Sequence, residues 1–172
     1  GVLEDYERDM VHAVFRLDQQ NISSIMTHRT EVFSLDKNSR IVDVIDLINS
    51  KNFSRIPVYE DNPENIKGIV LVKDIVKNIG CREDKKYIKL EDIMLPPFFV
   101  SDNKKIRDAL FMMQKEKRNM AIILDEYSGL SGIVTVEDII EEIVGELYDE
   151  DDSPEHEKIT ITGENTYIVT GS

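Results

Sequence analysis

The chain contains the same sequence pattern twice. Three short blocks recur in the same order, 64 to 68 positions apart. They are SIM at 24–26 with DIM at 92–94, NSRIVDVI at 38–45 with NKKIRDAL at 103–110, and GIVLVKDIV at 68–76 with GIVTVEDII at 132–140. Chance similarity between short apolar runs would not preserve that order, so the pattern predicts a duplicated structural unit.

Each copy predicts the same succession of elements. Apolar residues fall on one face of a helix at 41, 44, 45 and 48 and again at 106, 109, 110 and 113, with Asn38 and Asn103 as expected N-caps. Apolar runs of strand length follow at 56–59, 66–71, 120–124 and 130–135, and second helices at 72–79 and 136–147. A unit of about 50 residues is marginal alone. The predicted fold class is therefore α/β (α+β): two β-α-β-β-α units packed with pseudo-two-fold symmetry, plus an N-terminal helix and a short C-terminal strand segment.

The remaining segments complete the predicted organisation. Residues 1–21 form a connector helix, with its apolar face expected within 4–19. The first repeat spans 22–82 and the second 88–147. Residues 148–172 form an acidic linker and the start of a further domain, because the two short strands expected at 158–162 and 166–170 have little to bury themselves against.

The negative charge is concentrated near the C-terminus. The net charge is −13, yet residues 137–157 carry eleven acidic side chains and no Lys or Arg, while the rest has 23 acids and 21 bases. This balance argues against a nucleic-acid module that neutralises phosphates over a broad face. The acidic segment is interpreted either as a solvated helix end and linker or as a weak divalent-cation or partner surface. No stretch approaches the ~20 apolar residues of a membrane span.

No catalytic or metal-binding set is recognisable. The three histidines lie in unrelated contexts, Cys81 has no evident His partner, and no glycine-rich phosphate loop is present. We therefore expect neither an enzyme nor a metal site.

The strongest local feature is the end of the strand at Thr135. Thr135 and Asp138 have the spacing of a capping box, which alone would account for both residues. The same helix start could bind a phosphate, with Thr135 donating to it and Asp138 accepting from ribose hydroxyls. The first repeat keeps Asp74 but has Leu71 where the second has Thr135. A symmetric pairing of repeats would bring Arg55 to this site, or Arg55 would form a surface ion pair with the acidic helix.

Several longer segments resemble one family. The repeats, each closing on a Gly-x₅-Asp block, resemble a tandem pair of cystathionine-β-synthase (CBS) domains. Segments ERDMV (7–11), SIMT (24–27), SRIPVYE (54–60), DEYSG (125–129) and VEDIIEEIVGE (136–146) resemble the CorC/HlyC family, the hemolysin-like relatives of the cyclin M proteins. His28 stands where many members have proline.

The resemblance implies a function and a set of site residues. It implies the cytoplasmic domain of a bacterial inner-membrane protein linked to Mg²⁺ and Co²⁺ export or resistance, with a transmembrane domain upstream and a homodimeric state. It also implies that the further domain begun within 148–172 is the transporter-associated (CorC/HlyC) domain. It also implies an adenosine nucleotide, ATP or AMP, with or without Mg²⁺. Thr135 would meet phosphate, Asp138 the ribose and Arg55 the polyphosphate, while Pro57 and Thr30 would lie near the adenine or ribose wall. Two alternatives stay open: a structural dimerisation module without nucleotide, and a direct divalent-cation sensor.

Overall fold

The computed structural model describes residues 1–81, 83–149, 160–162 and 166–168. The helices are α1 (Val2–Gln19), α2 (Ile41–Asn49), α3 (Val72–Cys81), α4 (Ile106–Lys115) and α5 (Val136–Asp149). The strands are β1 (Thr27–His28), β2 (Leu35–Asp36), β3 (Arg55–Glu60), β4 (Asn62–Leu71), β5 (Phe99–Ser101), β6 (Met120–Leu124), β7 (Leu130–Thr135), β8 (Thr160–Thr162) and β9 (Thr166–Ile168).

The predicted duplication and fold class are confirmed. The first unit runs β2-α2-β3-β4-α3 and the second β5-α4-β6-β7-α5. In each, the first strand is parallel to the second, and the second pairs antiparallel with the third. Arg55 faces Leu71 in the first hairpin as Met120 faces Thr135 in the second. The two hairpins therefore place equivalent residues at equivalent points of a pseudo-two-fold pair.

The segment before each repeat crosses to the other half. Strand β1 pairs with β7, giving the sheet order β1-β7-β6-β5. Ile22 is fully buried in the core that holds Ile106, whereas Leu90 is fully buried in the core that holds Ile41. Ile22 thus completes the core of the second half, and Leu90 completes the core of the first. The two halves are therefore held together by both of these crossing segments.

Two glycines make these crossings possible. A Cβ on Gly132 would lie 2.1 Å from the carbonyl oxygen of Thr27, and one on Gly68 would lie 2.5 Å from Sδ of Met94. Both glycines open the repeated GIV blocks. They are needed because a crossing segment passes directly over each strand, where any side chain would collide with it.

Local details of the helices differ from the sequence prediction. The expected N-caps Asn38 and Asn103 are wrong: α2 begins after Arg40 and α4 after Lys105. The backbone N–H of Asn38 instead donates to the Asp36 carboxylate at 2.8 Å, so Asn38 belongs to a turn before the helix. Helix α1 buries Ala13 and Leu17 of its predicted apolar face. The side chains at positions 6, 10 and 14 of that face are exposed.

The C-terminal part is described only at its two strands. Strands β8 and β9 pair antiparallel, as the predicted hairpin requires. The expected turn at 163–165 and residues 150–157 of the acidic stretch lie outside the described residues. None of the described helices is long and apolar enough to cross a membrane.

Candidate functional site

A cavity of about 320 Å³ lies between the two halves. Strand β3 of the first repeat contributes Arg55 and Pro57, and the end of β7 with the start of α5 contributes Thr135 and Asp138. Further lining residues are Thr27, Glu31, Val32, Phe33, Asn52, Phe53, Ser54, Met120, Ile133 and Glu137. Four of the five residues singled out in the sequence thus line one cavity, although they come from positions about 80 apart in the chain.

Thr135 and Asp138 form the capping box that their spacing suggested. The Thr135 N–H donates to Oδ2 of Asp138 at 3.0 Å, and the Asp138 N–H donates to Oγ1 of Thr135 at 3.1 Å. This box uses the Thr135 hydroxyl as an acceptor only, so its proton stays available to donate. Among the described residues no hydrogen bond reaches Oδ1 of Asp138. The structural and ligand-binding interpretations are therefore compatible in one geometry.

Arg55 lies in the cavity and also forms the surface ion pair considered above. Its Nη1 is 3.6 Å from Oε1 of Glu137, with 23% of the Arg55 side chain and 67% of the Glu137 side chain exposed. An exposed pair of this length contributes little to stability. Arg55 can therefore exchange Glu137 for a more strongly charged anion at small cost.

Thr30 is not among the residues that line the cavity. Its hydroxyl lies 3.0 Å from Nδ1 of His28, in the short 3₁₀ turn Arg29–Glu31. Thr27 pairs with Ile133 and His28 with Gly132, so this segment is held against β7 before the turn that contains Thr30. Thr27 lines the cavity, whereas Thr30 does not. The sequence feature that could have identified Thr27 as a lining residue is its place at the end of the SIMT segment.

An aromatic pair forms another part of the wall. Phe33 and Phe53 stack with ring centroids 5.5 Å apart and an interplanar angle of 19°. Both line the cavity, and 45% of Phe53 is exposed. Sequence reasoning missed them, because Phe33 and Phe53 lie in irregular segments outside the repeated blocks. With Val32, Pro57 and Ile133 they make this side of the cavity apolar, which suits a flat ring such as a purine.

The first repeat lacks an equivalent of this site. Leu71 takes the position of Thr135 in the hairpin register, and Asp74 faces a different hollow, which it shares with Lys77 and Asn78. Within the described ranges, no three His, Cys, Asp or Glu side chains gather as metal ligands. The chemistry available between the halves is thus hydrogen bonding and charge neutralisation, at the cavity of Arg55, Thr135 and Asp138.

Comparison with known proteins agrees with this architecture. The profile of the CBS domain matches residues 22–80 and 90–145. A UPF0053 protein of Bacillus subtilis, YhdP, is 37% identical over 171 residues, covering 99% of this chain and 38% of that protein. The magnesium and cobalt efflux protein CorC of Vibrio cholerae is 30% identical over 162 residues, covering 94% of this chain and 55% of that protein.

Solved structures show the same fold. The CBS domain of a bacterial CNNM/CorC family Mg²⁺ transporter in complex with ATP superposes with a TM-score of 0.76 at 35% identity, over 81% of this chain and 97% of that one. A CBS-domain pair from Klebsiella pneumoniae with bound AMP gives a TM-score of 0.64 at 25% identity, over 73% of this chain and 98% of that one.

The fold is a tandem module of two repeats with a cleft between them. The chain belongs to the CBS-domain family, as a CBS pair of the CorC (CNNM, UPF0053, hemolysin-like) group. This confirms the predicted resemblance. It also agrees with the expectation that the chain is not an enzyme, since two of these relatives are named as a magnesium and cobalt efflux protein and a Mg²⁺ transporter. The chain spans between a quarter and just over half of the length of the curated relatives it matches.

Proposed function

We propose that this chain is the regulatory CBS pair of a bacterial inner-membrane protein linked to Mg²⁺ and Co²⁺ export, and that it binds an adenosine nucleotide. The observation that carries the proposal is the single cavity in which Arg55 of one repeat meets Thr135 and Asp138 of the other. Related CBS pairs bind ATP or AMP. The cavity combines an apolar wall, a carboxylate and a helix N-terminus, which are the groups needed for a base, a ribose and a phosphate.

Each recognition step follows from a group that the fold leaves available. Asp138 offers Oδ1 to the ribose hydroxyls while its Oδ2 keeps the start of α5 capped. Thr135 donates its hydroxyl proton to a phosphate oxygen while Oγ1 still accepts from the backbone. The apolar wall that includes Pro57 holds the adenine. Because α5 is positioned by its own capping box, the site requires little rearrangement on binding.

Glu137 makes the charge of the bound ligand important. Its carboxylate lies in the same cavity lining as Arg55 and is paired with it. A polyphosphate must displace the Glu137 carboxylate from Arg55. The displaced carboxylate then repels the polyphosphate. A divalent cation bound to the phosphates would remove that repulsion. We therefore propose Mg²⁺-ATP as the preferred form of the ligand.

The nucleotide would act by connecting the two repeats. It bridges β3 of the first repeat and the β7–α5 junction of the second, so its affinity depends on their relative arrangement. A ligand shifts such an equilibrium only as far as its affinities for the two arrangements differ. A transmembrane domain upstream would respond to that shift.

The test is calorimetric titration with ATP, ADP and AMP, each with and without Mg²⁺. Asp138→Ala should weaken nucleotide binding about tenfold or more, because a charge-assisted hydrogen bond to ribose is lost. Asp74→Ala is the matched control, since Asp74 occupies the equivalent position outside the cavity, and it should leave affinity unchanged. Equal effects of the two variants would refute the assigned site, and no binding at millimolar nucleotide by a folded sample would refute the function.

A specific observation also supports the homodimer. Helices α3 and α5 expose Val76 (54%), Ile79 (37%), Ile140 (50%) and Val144 (42%). These side chains are suited to packing against a second copy of the chain.

If dimerisation is the sole role, nucleotide will give no thermal shift, because a ligand stabilises only by binding the folded state. The direct cation sensor would depend on the eleven acidic residues of 137–157, five of which lie outside the described ranges.

A further inference from the structure

A second cavity of about 630 Å³ adjoins the first. Phe53, Ser54, Arg55 and Met120 line both. Its remaining wall comes from the start of α3 with Leu71, Val72 and Lys73, from Ile69 and Leu95, and from residues 117–119 after α4. Arg55 therefore lies on the boundary between two hollows.

The second cavity is the pseudo-two-fold mate of the nucleotide cavity. Leu95 pairs with Ile69 of β4 as Thr27 pairs with Ile133 of β7. In the first hairpin Leu71 lies opposite Arg55. At the equivalent position of the second hairpin Thr135 lies opposite Met120. Duplication thus produced two clefts with the same backbone framework.

The groups that would recognise a nucleoside are missing from this mate. Leu71 and Leu95 replace Thr135 and Thr27 and cannot donate to a phosphate or a ribose. Asp74, the equivalent of Asp138, is not part of its lining. A second nucleoside would therefore find neither the hydroxyl nor the carboxylate that the first cavity offers.

Positive charge replaces those groups. Arg55, Lys73, Lys117 and Arg118 line the second cavity, and no acidic residue does. The nucleotide cavity has three acidic side chains and one basic one in its lining. In a chain of net charge −13, four cations around one hollow without a carboxylate produce a local field that attracts anions.

The cations also differ in how much they are already engaged. Nη1 of Arg118 donates to the carbonyl oxygen of Pro96 at 2.7 Å, which holds the guanidinium in place. Lys73 and Lys117 have no ion pair or side-chain hydrogen bond within the described part of the chain. A fixed guanidinium between two uncommitted ammonium groups is an arrangement that a polyphosphate could neutralise.

We propose that this second cavity is a polyphosphate site without nucleoside specificity. It takes either the β- and γ-phosphates of the nucleotide held next door or an inorganic polyphosphate, with Arg55 as the shared contact. The first of these sources rests on the proposed function, whereas the second does not. A polyphosphate ligand would account for both features of the mate cavity: it is large and lined by cations, yet it lacks the nucleoside-binding groups of the nucleotide cavity.

The test uses the double variant Lys73→Ala/Lys117→Ala of the 172-residue chain. Lys77→Ala/Lys115→Ala is the matched control: Lys77 lies on α3 as Lys73 does, Lys115 ends α4 two residues before Lys117, the two substitutions remove the same charge, and neither residue lines the cavity. AMP, ATP and sodium tripolyphosphate are titrated into each by calorimetry at fixed ionic strength. We expect the test variant to bind tripolyphosphate about tenfold more weakly, since two charge-assisted contacts are lost. ATP should show the same loss where the nucleotide's own tail occupies the cavity, and AMP should bind unchanged.

Competition distinguishes the two sources. If tripolyphosphate displaces ATP, the nucleotide's own tail occupies the cavity; if it binds alongside ATP, the site holds a separate anion. A loss of ATP and tripolyphosphate affinity no greater than in the control variant would overturn the proposal. So would an equal loss of AMP affinity. If no nucleotide binds but tripolyphosphate binds in a Lys73- and Lys117-dependent way, the proposed nucleotide function fails while this site stands.

Discussion

Replacing Gly132 by alanine should destabilise the protein through one identifiable collision. The added Cβ would lie 2.1 Å from the carbonyl oxygen of Thr27, whereas such atoms normally stay about 3.3 Å or more apart. Strand β1 would therefore have to move by about 1.2 Å away from β7. The atom that the new Cβ would meet is a backbone oxygen, so no side-chain rotation can relieve the contact.

The cost can be worked out from what holds β1 in place. Two residue pairs join β1 to β7, and losing about two hydrogen bonds at about 1 kcal/mol each, with some loosened packing, gives about 3 kcal/mol. Alanine is favoured over glycine in a strand by about 0.5 kcal/mol or more. The net loss is about 2 to 3 kcal/mol, or roughly 5 to 10 °C in Tm for a chain of this size.

The matched control is the pseudo-symmetric glycine. A Cβ on Gly68 would first meet Sδ and Cγ of Met94, at 2.5 and 2.7 Å, with the Leu95 carbonyl oxygen at 3.0 Å. A methionine side chain can rotate away, so Gly68→Ala should cost about 1 kcal/mol or less. Urea unfolding of both variants measures the difference. Gly132→Ala should also weaken ATP binding, because Thr27 lines the cavity. If Gly132→Ala is no less stable than Gly68→Ala, the crossing segment does not constrain the strand as argued.

Three further predictions concern charge and association. Glu137→Gln should raise ATP affinity about threefold in Mg²⁺-free buffer and less with Mg²⁺, because a repelling carboxylate is removed; calorimetry showing the same change in both buffers would contradict the role given to the cation. The Lys37 ammonium, 2.6 Å from Glu60, lowers the pKa of Glu60, so this pair stabilises the fold above the unfolded carboxyl value of about 4.3 and less as pH falls through the lowered value. The Tm deficit of Lys37→Met should accordingly be constant near neutral pH and shrink below about pH 4; a deficit independent of pH would refute the ion pair as its cause. Val76→Glu should convert a dimer to monomer in light scattering while leaving the fold intact by circular dichroism; an unchanged mass would remove α3 from the interface.

The sequence by itself determined the repeat and the elements inside it. The apolar period of 41–48 predicts the buried face of α2, where Ile41, Val44 and Ile48 are indeed buried. The Thr-x-x-Asp spacing predicts the capping box at the start of α5, which is present. These features depend on neighbours within about one turn of helix or one strand, so a local pattern is sufficient to specify them. The duplication added the one non-local inference, that Arg55 would meet the second repeat's helix.

Only the tertiary structure decided how the halves exchange segments and what the clefts contain. Nothing local shows that β1 pairs with β7, because a two-residue strand has no periodicity. That crossing is what places Thr27 in the cavity lining and leaves Thr30 outside it. The cationic mate cavity gathers Lys73 from the start of α3 and Lys117 from the turn after α4. Because these residues belong to different repeats, their separation in sequence conceals the cavity. The physical reason is the same in each case: packing between distant segments, rather than the preferences of any one segment, sets which side chains share a space.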